Sequence, residues 1–158
     1  MEEHKQLFAE LGGFALYDPL LMNEYRDEHN LGPDLLSHLT SSDDGDLVTQ
    51  YGYIIPILNV PGDYYTFDII ENVPSDYLVE SRGWILRVES EEIHVVGIGY
   101  LFHTNLIPID RSLSFSISNG WYELSIISYP INCFGLKLTK VVEKPMYSAN
   151  METDYLFK

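Results

Sequence analysis

The pattern of hydrophobic and polar positions changes near Leu47. From there on, β-branched and aromatic residues alternate with polar ones in short runs separated by turn residues, which is typical of β-strands. The runs cover residues 47–60, 64–72, 77–90, 92–102, 113–118, 121–128 and 134–143. Pro56 is expected to break the first run or to place it at a sheet edge. Because no helical pattern of ten residues intervenes, the sequence predicts a mainly β fold, an antiparallel sandwich or strongly curved sheet.

The pattern before Leu47 favours short helices. Residues 1–11 are predicted to form one, and residues 13–19 a short strand. A further helix is predicted to begin after Asp18, whose carboxylate can cap it, with Pro19 in its first turn. Residues 32–42 add one or two helical turns. The predicted β fold therefore carries one or two short N-terminal helices.

Two turns in the β region predict hairpins. The first is centred on Asn119-Gly120, the strongest two-residue turn signal. Folding there pairs apolar residues on one face: Ile117 with Tyr122, Phe115 with Leu124, and Leu113 with Ile126. The other face pairs polar residues, so one side should meet a core and the other water. A second hairpin is predicted about residues 90–91, and Gly97 and Gly99 in its return strand indicate a bulge or a close backbone approach.

The composition is that of a folded domain with a large negative charge. The 158 residues are expected to form a single domain, 1–158, and 46% of them are apolar, which is too many for a disordered chain. The chain has 24 acidic residues and 9 lysines and arginines, which gives a net charge of −15. Such a chain repels nucleic acid and anionic membranes and attracts basic partners. Without a signal-peptide pattern or a membrane-length apolar run, it is expected to be cytoplasmic.

The sequence contains no familiar catalytic motif. Its five histidines show no H-E-x-x-H spacing, no serine stands in G-x-S-x-G, and no phosphate-binding loop is present. The single Cys133 lies in an apolar segment, which favours a buried structural thiol. We therefore expect no enzymatic activity and no cofactor. His29 and His38, with Asp27 and Asp34 nearby, are candidate metal ligands, although histidines in such settings usually lie at surfaces or helix ends.

The acidic residues are densest in the stretch SSDDGD, residues 41–46. If Gly45 takes the sixth position of an EF-hand calcium loop, the twelfth is Tyr51 instead of glutamate, so that pattern fails. A solvated turn explains the stretch by itself. The wider window argues for more, because residues 27–81 hold eleven acids and five tyrosines but no lysine or arginine. Segregation of this kind raises the local field, whereas solubility alone favours interspersed signs.

Tyrosines beside carboxylates are typical of a protein-binding surface. Tyrosine gives contact area at low entropic cost, and carboxylates speed and orient the encounter with a cationic partner. The residues expected to form this surface are Asp43, Asp44, Asp46, Asp63, Tyr64, Tyr65, Asp68, Glu71 and Asp76. The alternative is that the tyrosines are half-buried strand residues and the acids their exposed neighbours.

The chain is small and acidic, lacks familiar catalytic motifs, and contains the segments GFALYDP (13–19) and YLVESRGWILRVESEEIHVVGIGYL (77–101). In these features it resembles the immunity proteins of bacterial toxin–immunity systems, such as those of contact-dependent growth inhibition. The resemblance implies an antitoxin that neutralises a cognate toxin domain. That toxin is often a nuclease whose substrate cleft is lined with lysine and arginine. The inhibitor would place carboxylates where phosphates bind and perform no chemistry itself.

The sequence thus predicts a cytoplasmic binding protein that covers a basic toxin domain, with neither nucleic acid nor membrane as partner. Two alternatives remain open. A small metal-assisted hydrolase requires His29 or His38 to meet the acids of residues 41–46. A structural or ligand-binding β module requires an internal cavity lined by tyrosine, phenylalanine and isoleucine.

Overall fold

Nine strands form two sheets in the computed structural model, which describes residues 6–31, 34–41, 44–101, 107 and 111–157, with the backbone alone at 37, 40, 41 and 44–46. The strands are β1 (Gln6–Phe8), β2 (Phe14–Tyr17), β3 (Ile54–Ile57), β4 (Tyr64–Ile70), β5 (Val79–Val88), β6 (Glu92–Gly97), β7 (Ser112–Ser116), β8 (Gly120–Tyr129) and β9 (Cys133–Val141). Sheet A has the order β1-β4-β9-β8-β5, and sheet B the order β3-β2-β6-β7. The predicted mainly β sandwich is confirmed.

Sheet B is the middle of three layers. The alternation along β2 shows this, since Phe14 and Leu16 pack into the core shared with sheet A, while Ala15 and Tyr17 face the helices. The helices are α1 (Pro19–Glu28), α2 (Leu35–Ser41) and α3 (Asp44–Gln50), and a 3-10 turn spans Glu10–Gly12. The opposite face of sheet A carries no layer of helices among the described residues. None of the described helices is long and apolar enough to cross a membrane.

Asp18 caps α1 as predicted, and it also connects the helix to sheet A by hydrogen bonds. Its Oδ1 accepts hydrogen bonds from the backbone N–H of Leu20 (2.8 Å) and Leu21 (3.3 Å). Its Oδ2 accepts from the backbone N–H of Glu89 (2.6 Å) and Ser90 (2.8 Å), just after β5. The side chain is fully buried, and these donors compensate the loss of water around its charge.

The predicted helix over residues 1–11 is wrong in its described part. Residues 6–8 form β1, which pairs with β4 and places Leu7 opposite Tyr65 in the core. The strand pairing buries Leu7, whereas Leu11, at the end of the predicted helix, is 75% exposed. The predicted strand over 47–60 is also partly wrong, because its first four residues belong to α3. Pro56 lies on an edge strand as expected, since β3 pairs with β2 alone.

Both predicted hairpins are wrong, because the chain changes sheets at each turn. β5 belongs to sheet A and β6 to sheet B, and the next such crossing leads from β7 back to β8. The two corners are bonded to each other, with the Glu91 N–H donating to Asn119 Oδ1 (2.7 Å) and the Ile117 N–H to Glu91 O (3.1 Å). The apolar faces of β7 and β8 still meet one core, because both sheets present their apolar sides to it.

One strand pair departs from the predicted antiparallel arrangement. β4 and β9 run parallel, with Thr66 opposite Cys133 and Asp68 opposite Gly135. All other pairs between the described strands are antiparallel. The parallel pair lies inside sheet A and brings together segments that are almost seventy positions apart.

The C-terminal segment after β9 has no regular structure, yet it completes the core. Tyr155 and Phe157 are buried against Phe134, at centroid separations of 5.4 Å and 5.1 Å. The Ser148 N–H donates to Gly83 O (3.0 Å), and the Leu156 N–H donates to Ser128 Oγ (3.2 Å). This segment is therefore a structural part of the sandwich.

Candidate functional site

The structure places the predicted binding residues in two separate locations. Asp44 and Asp46 belong to α3, which contacts β3 and β5, while the acids from Asp63 onward lie on and beside β4. In sheet A, β9 and β8 lie between β4 and β5, so β4 and β5 are about 14 Å apart at the usual strand spacing. Asp43 lies outside the described residues, as do the side chains of Asp44 and Asp46. The predicted single surface thus joins acids that the fold places on separate elements, α3 and β4.

The acids near β4 lie on the uncovered side of sheet A. Alternation along β4 turns Tyr65 and Phe67 into the core and leaves Tyr64 and Asp68 on the outer side. We call this surface the β4 face; it consists of Asp63, Tyr64, Asp68, Asp76, Tyr129, Asn132 and Cys133. Glu71 is exposed and directly follows the end of β4. Tyr64 is 48% exposed and holds its ring edge-on to Phe8, with the centroids 5.3 Å apart.

Tyr65 was predicted to lie on the binding surface, but it is a core residue. It is 1% exposed, and its ring packs against Phe14, Phe134 and Phe157. Its hydroxyl donates to the carbonyl oxygen of Pro61 at 2.8 Å, which satisfies the polar end. Because successive strand residues point to opposite faces, only one residue of the Tyr64-Tyr65 pair can face outward.

Asp63 is held in a fixed orientation at the start of β4. Its Oδ1 accepts a hydrogen bond from the Tyr64 N–H (2.7 Å), and its Oδ2 accepts one from Asn132 Nδ2 (3.1 Å). Asn132 Nδ2 also donates to Tyr64 O (3.2 Å), which ties the turn before β9 to β4. The carboxylate remains exposed. An exposed charge that is already oriented loses less entropy when a partner binds it.

Asp68 and Asp76 converge on the pair Tyr129 and Cys133. Burial raises the pKa of the Cys133 thiol, and the charges of Asp68 and Asp76 raise it further. The pKa of Tyr129 is raised by burial first, and then by Cys133 and the same two carboxylates. Cys133 stands opposite Tyr129 in the β8–β9 register. The four side chains therefore share one electrostatic environment, although they come from two distant segments of the chain, residues 68–76 and 129–133.

Cys133 was predicted to be a buried structural thiol, but its side chain is partly exposed on the β4 face. Its Sγ donates to the carbonyl oxygen of Ile131 at 3.3 Å. A raised pKa keeps the sulfur in its neutral form, which disfavours a role as nucleophile. Tyr129, Asn132 and Cys133 were not predicted as members of this surface. No local pattern marks them, because only the parallel β4–β9 pairing brings them beside Asp68.

The centre of the outer surface of sheet A is apolar and tightly packed. Ile70 lies across Gly135, where an added Cβ would stand 2.4 Å from Ile70 Cδ1 and 3.4 Å from a ring carbon of Tyr129. Of the basic residues nearby, Arg82 is engaged with Glu80: its Nε contacts Glu80 Oε2 at 2.6 Å. The hydrogen bond from Arg82 lowers the pKa of Glu80, with Lys137 contributing. Asp68 and Asp76 thus border an apolar patch of Ile70 and Tyr129.

The histidine candidates lie in the helical layer, away from the β4 face. Tyr25 Oη and His38 Nε2 are 2.8 Å apart, and the rings of His29 and His38 are separated by 6.0 Å between centroids. In the part of the chain that the structure describes, no three histidine, cysteine or acidic side chains are grouped as a metal site requires.

The core between the sheets is filled by aromatic rings, with Phe67 stacked on Phe134 at a centroid distance of 4.9 Å.

The chain shares its fold with a known inhibitor. The crystal structure of ComJ from Bacillus subtilis, an inhibitor of the DNA-degrading activity of NucA, superposes with a TM-score of 0.51 at 13% sequence identity. The match covers 89% of this chain and 96% of ComJ. No family model matches the sequence, and neither does a curated protein. At this identity the likeness establishes a common fold.

Proposed function

We propose that this protein inhibits a nuclease-like protein by covering its basic cleft. The fold shared with ComJ carries the proposal, because the match extends over nearly the whole of an inhibitor of DNA degradation. The partner is a toxin domain in this proposal, and the chain acts as its cytoplasmic antitoxin without chemistry of its own. The β4 face is the proposed contact surface.

The charge supports this assignment. A nuclease that binds DNA phosphates needs a cationic cleft, and a protein with net charge −15 is attracted to such a cleft over long distances. Asp63, Asp68 and Asp76 are then positioned to meet its lysines and arginines in place of phosphates. Tyr64 offers a half-exposed ring as an anchor, and Ile70 and Tyr129, near the other end of β4, supply apolar contact.

The test takes as candidate partner any DNA-degrading protein encoded next to this chain's gene. DNA cleavage is measured as the chain is added in increasing molar ratio, and we expect cleavage to stop near equivalence. A variant with Asp63→Lys, Asp68→Lys and Asp76→Lys should associate at least about tenfold more slowly at low salt, since opposite charges steer the encounter. Asp63 and Asp76 are exposed and Asp68 is half-buried, so we expect the variant to fold, and its urea midpoint is compared with that of the wild-type chain.

The matched control reverses three exposed acids of the C-terminal segment, Glu143→Lys, Glu152→Lys and Asp154→Lys, with the same change in net charge. Association slowed equally in both triple variants would remove the β4 face from the proposal. Reversal of Asp43, Asp44 and Asp46 to lysine tests the helical location in parallel. Undiminished DNA cleavage at a molar excess of the wild-type chain would refute nuclease inhibition itself.

A further inference from the structure

A half-open aromatic pocket of about 270 Å³ lies in the helical layer, between α1 and the segment that follows α3. Three tyrosines, one histidine and one carboxylate line it, namely Tyr25, Tyr51, Tyr53, His29 and Glu28, and the remaining lining is aliphatic. A water molecule in the liquid occupies about 30 Å³, so the space accepts a large side-chain head group. None of these residues belongs to the β4 face.

The aromatic rings form a connected cluster. The ring centroids of Tyr25 and His29 are 4.1 Å apart, those of Tyr25 and Tyr53 6.3 Å, and those of Tyr51 and Tyr53 6.4 Å. Tyr25 is buried, which fixes the inner end of the cluster, while Tyr51 is 50% exposed at its outer end. The faces of such rings carry negative electrostatic potential and attract cations.

One ring of the cluster already holds a cation in this structure. Lys144 Nζ stands 4.5 Å from the centre of the Tyr51 ring, within the range of a cation–π contact. Lys144 is not among the residues that line the pocket, so the pocket remains open beside this contact. The contact shows that the surroundings of Tyr51 favour positive charge.

The polar groups of the pocket are suited to a ligand that donates hydrogen bonds. His29 Nδ1 lies 2.9 Å from the carbonyl oxygen of Tyr25. Because a carbonyl only accepts, Nδ1 must carry the proton, and the neutral ring then offers Nε2 as an acceptor. Glu28 adds an exposed carboxylate. The surrounding segment, residues 19–50, contains seven acids against a single arginine, so its field also favours a cation.

We infer that this pocket binds the guanidinium group of an arginine side chain from a protein partner. A guanidinium is planar, stacks on aromatic faces and donates several hydrogen bonds, whereas a lysine ammonium is more strongly hydrated and gains less from rings. The inference rests on the proposed function only for the identity of the protein that carries the arginine. In that setting the pocket anchors the basic partner at a second place, apart from the β4 face.

The test needs no nuclease. N-acetyl-arginine amide is titrated into the full chain, and the ring resonances of Tyr25, Tyr51 and Tyr53 are followed by NMR. We expect saturable shifts that are centred on these rings and weaker binding of N-acetyl-lysine amide. N-acetyl-citrulline amide, a neutral analogue of nearly the same shape, should bind at least about threefold more weakly, as expected when a cation–π contact is lost.

Two exposed residues allow variants that leave the core intact. Tyr51→Leu and Glu28→Gln should each weaken the arginine probe by about threefold, whereas Tyr64→Leu, at an equally exposed tyrosine of the β4 face, should not. Equal binding of the citrulline and arginine probes would overturn the inference, and so would shifts centred elsewhere or shifts that never saturate. Lysine bound as tightly as arginine would overturn the guanidinium assignment. These outcomes do not depend on whether nuclease inhibition is observed.

Discussion

Asp18 and Asp63 both accept backbone hydrogen bonds, yet their surroundings give them different tasks. Asp18 is fully buried and joins the start of α1 to a corner 71 positions away, so its charge serves the fold. Asp63 accepts one bond from a backbone N–H and one from the side-chain amide of Asn132, and its carboxylate stays exposed, so its charge remains available to a partner. Residue type alone does not separate these roles, because burial and the origin of the donors decide them.

Cys133 allows the charges of the β4 face to be measured directly. Asp68 raises the pKa of its thiol, so Asp68→Asn should lower that pKa and increase the thiolate fraction at pH 8. We expect alkylation by iodoacetamide to become about twofold faster at this pH, and its pH profile to move to lower pH. Asp154→Asn is the control, because Asp154 lies in the C-terminal segment. An unchanged profile in Asp68→Asn would mean that the carboxylate does not act on the thiol.

At the scale of the strands, an alternating pattern determines which face of a strand is buried, but not which strand it pairs with. Leu113 and Phe115 of β7 and Leu124 and Ile126 of β8 were expected to pair with each other. They occupy different sheets, although all four pack on the same core. A strand that crosses to the facing sheet buries the same side as a strand that folds back in a hairpin, so the pattern is satisfied either way.

The C-terminal segment depends on a single glycine of β5. Gly83 has φ +88, and a Cβ there would stand 2.4 Å from Ser148 Oγ and 2.7 Å from the Ser148 carbonyl carbon. Gly83→Ala should therefore lower the free energy of unfolding by about 2 kcal/mol or more, from backbone strain together with displacement of the segment. Urea unfolding measures this, with Gly62→Ala as control, because a Cβ at Gly62 meets only Phe8 at 3.8 Å. A Gly83→Ala midpoint equal to that of the control would contradict the docking of the segment.

At the scale of the whole molecule, the layers determine which charges and which tyrosines reach a partner. Among the described acids of residues 27–81, those of α1 and α3 belong to the helical layer, whereas Asp63, Asp68 and Asp76 belong to the β4 face, so the acidic stretch is divided between two regions. Several tyrosines serve the core, and burial raises the pKa values of Tyr17, Tyr65 and Tyr155, the last to about 12. Much of the aromatic content therefore stabilises the sandwich.

The buried tyrosines predict a loss of stability at alkaline pH. Above pH 10 the unfolded chain releases tyrosine protons that the folded chain retains, so the free energy of unfolding falls as pH rises. For Tyr155, with its pKa of about 12, the loss at pH 11 is about 1.4 kcal/mol. Tyr155→Phe should remove this part of the decline in urea midpoints between pH 8 and pH 11. Tyr64→Phe, at a ring that is 48% exposed, is the control and should leave the decline unchanged.

The sequence by itself determined the mainly β class, the approximate strand positions from β4 onward, the Asp18 cap and the acidic charge, because each depends on local pattern or on composition. The predicted run 92–102 is too long, since β6 ends at Gly97 and residues 98–101 form a 3-10 turn. The tertiary structure alone decided the strand partners, the parallel β4–β9 pair and the division of the acids between two locations. It also decided that Tyr64 faces outward and Tyr65 inward. The physical reason is that pairing between distant segments is chosen by the packing of the whole core, whereas alternation and capping are satisfied within a few residues.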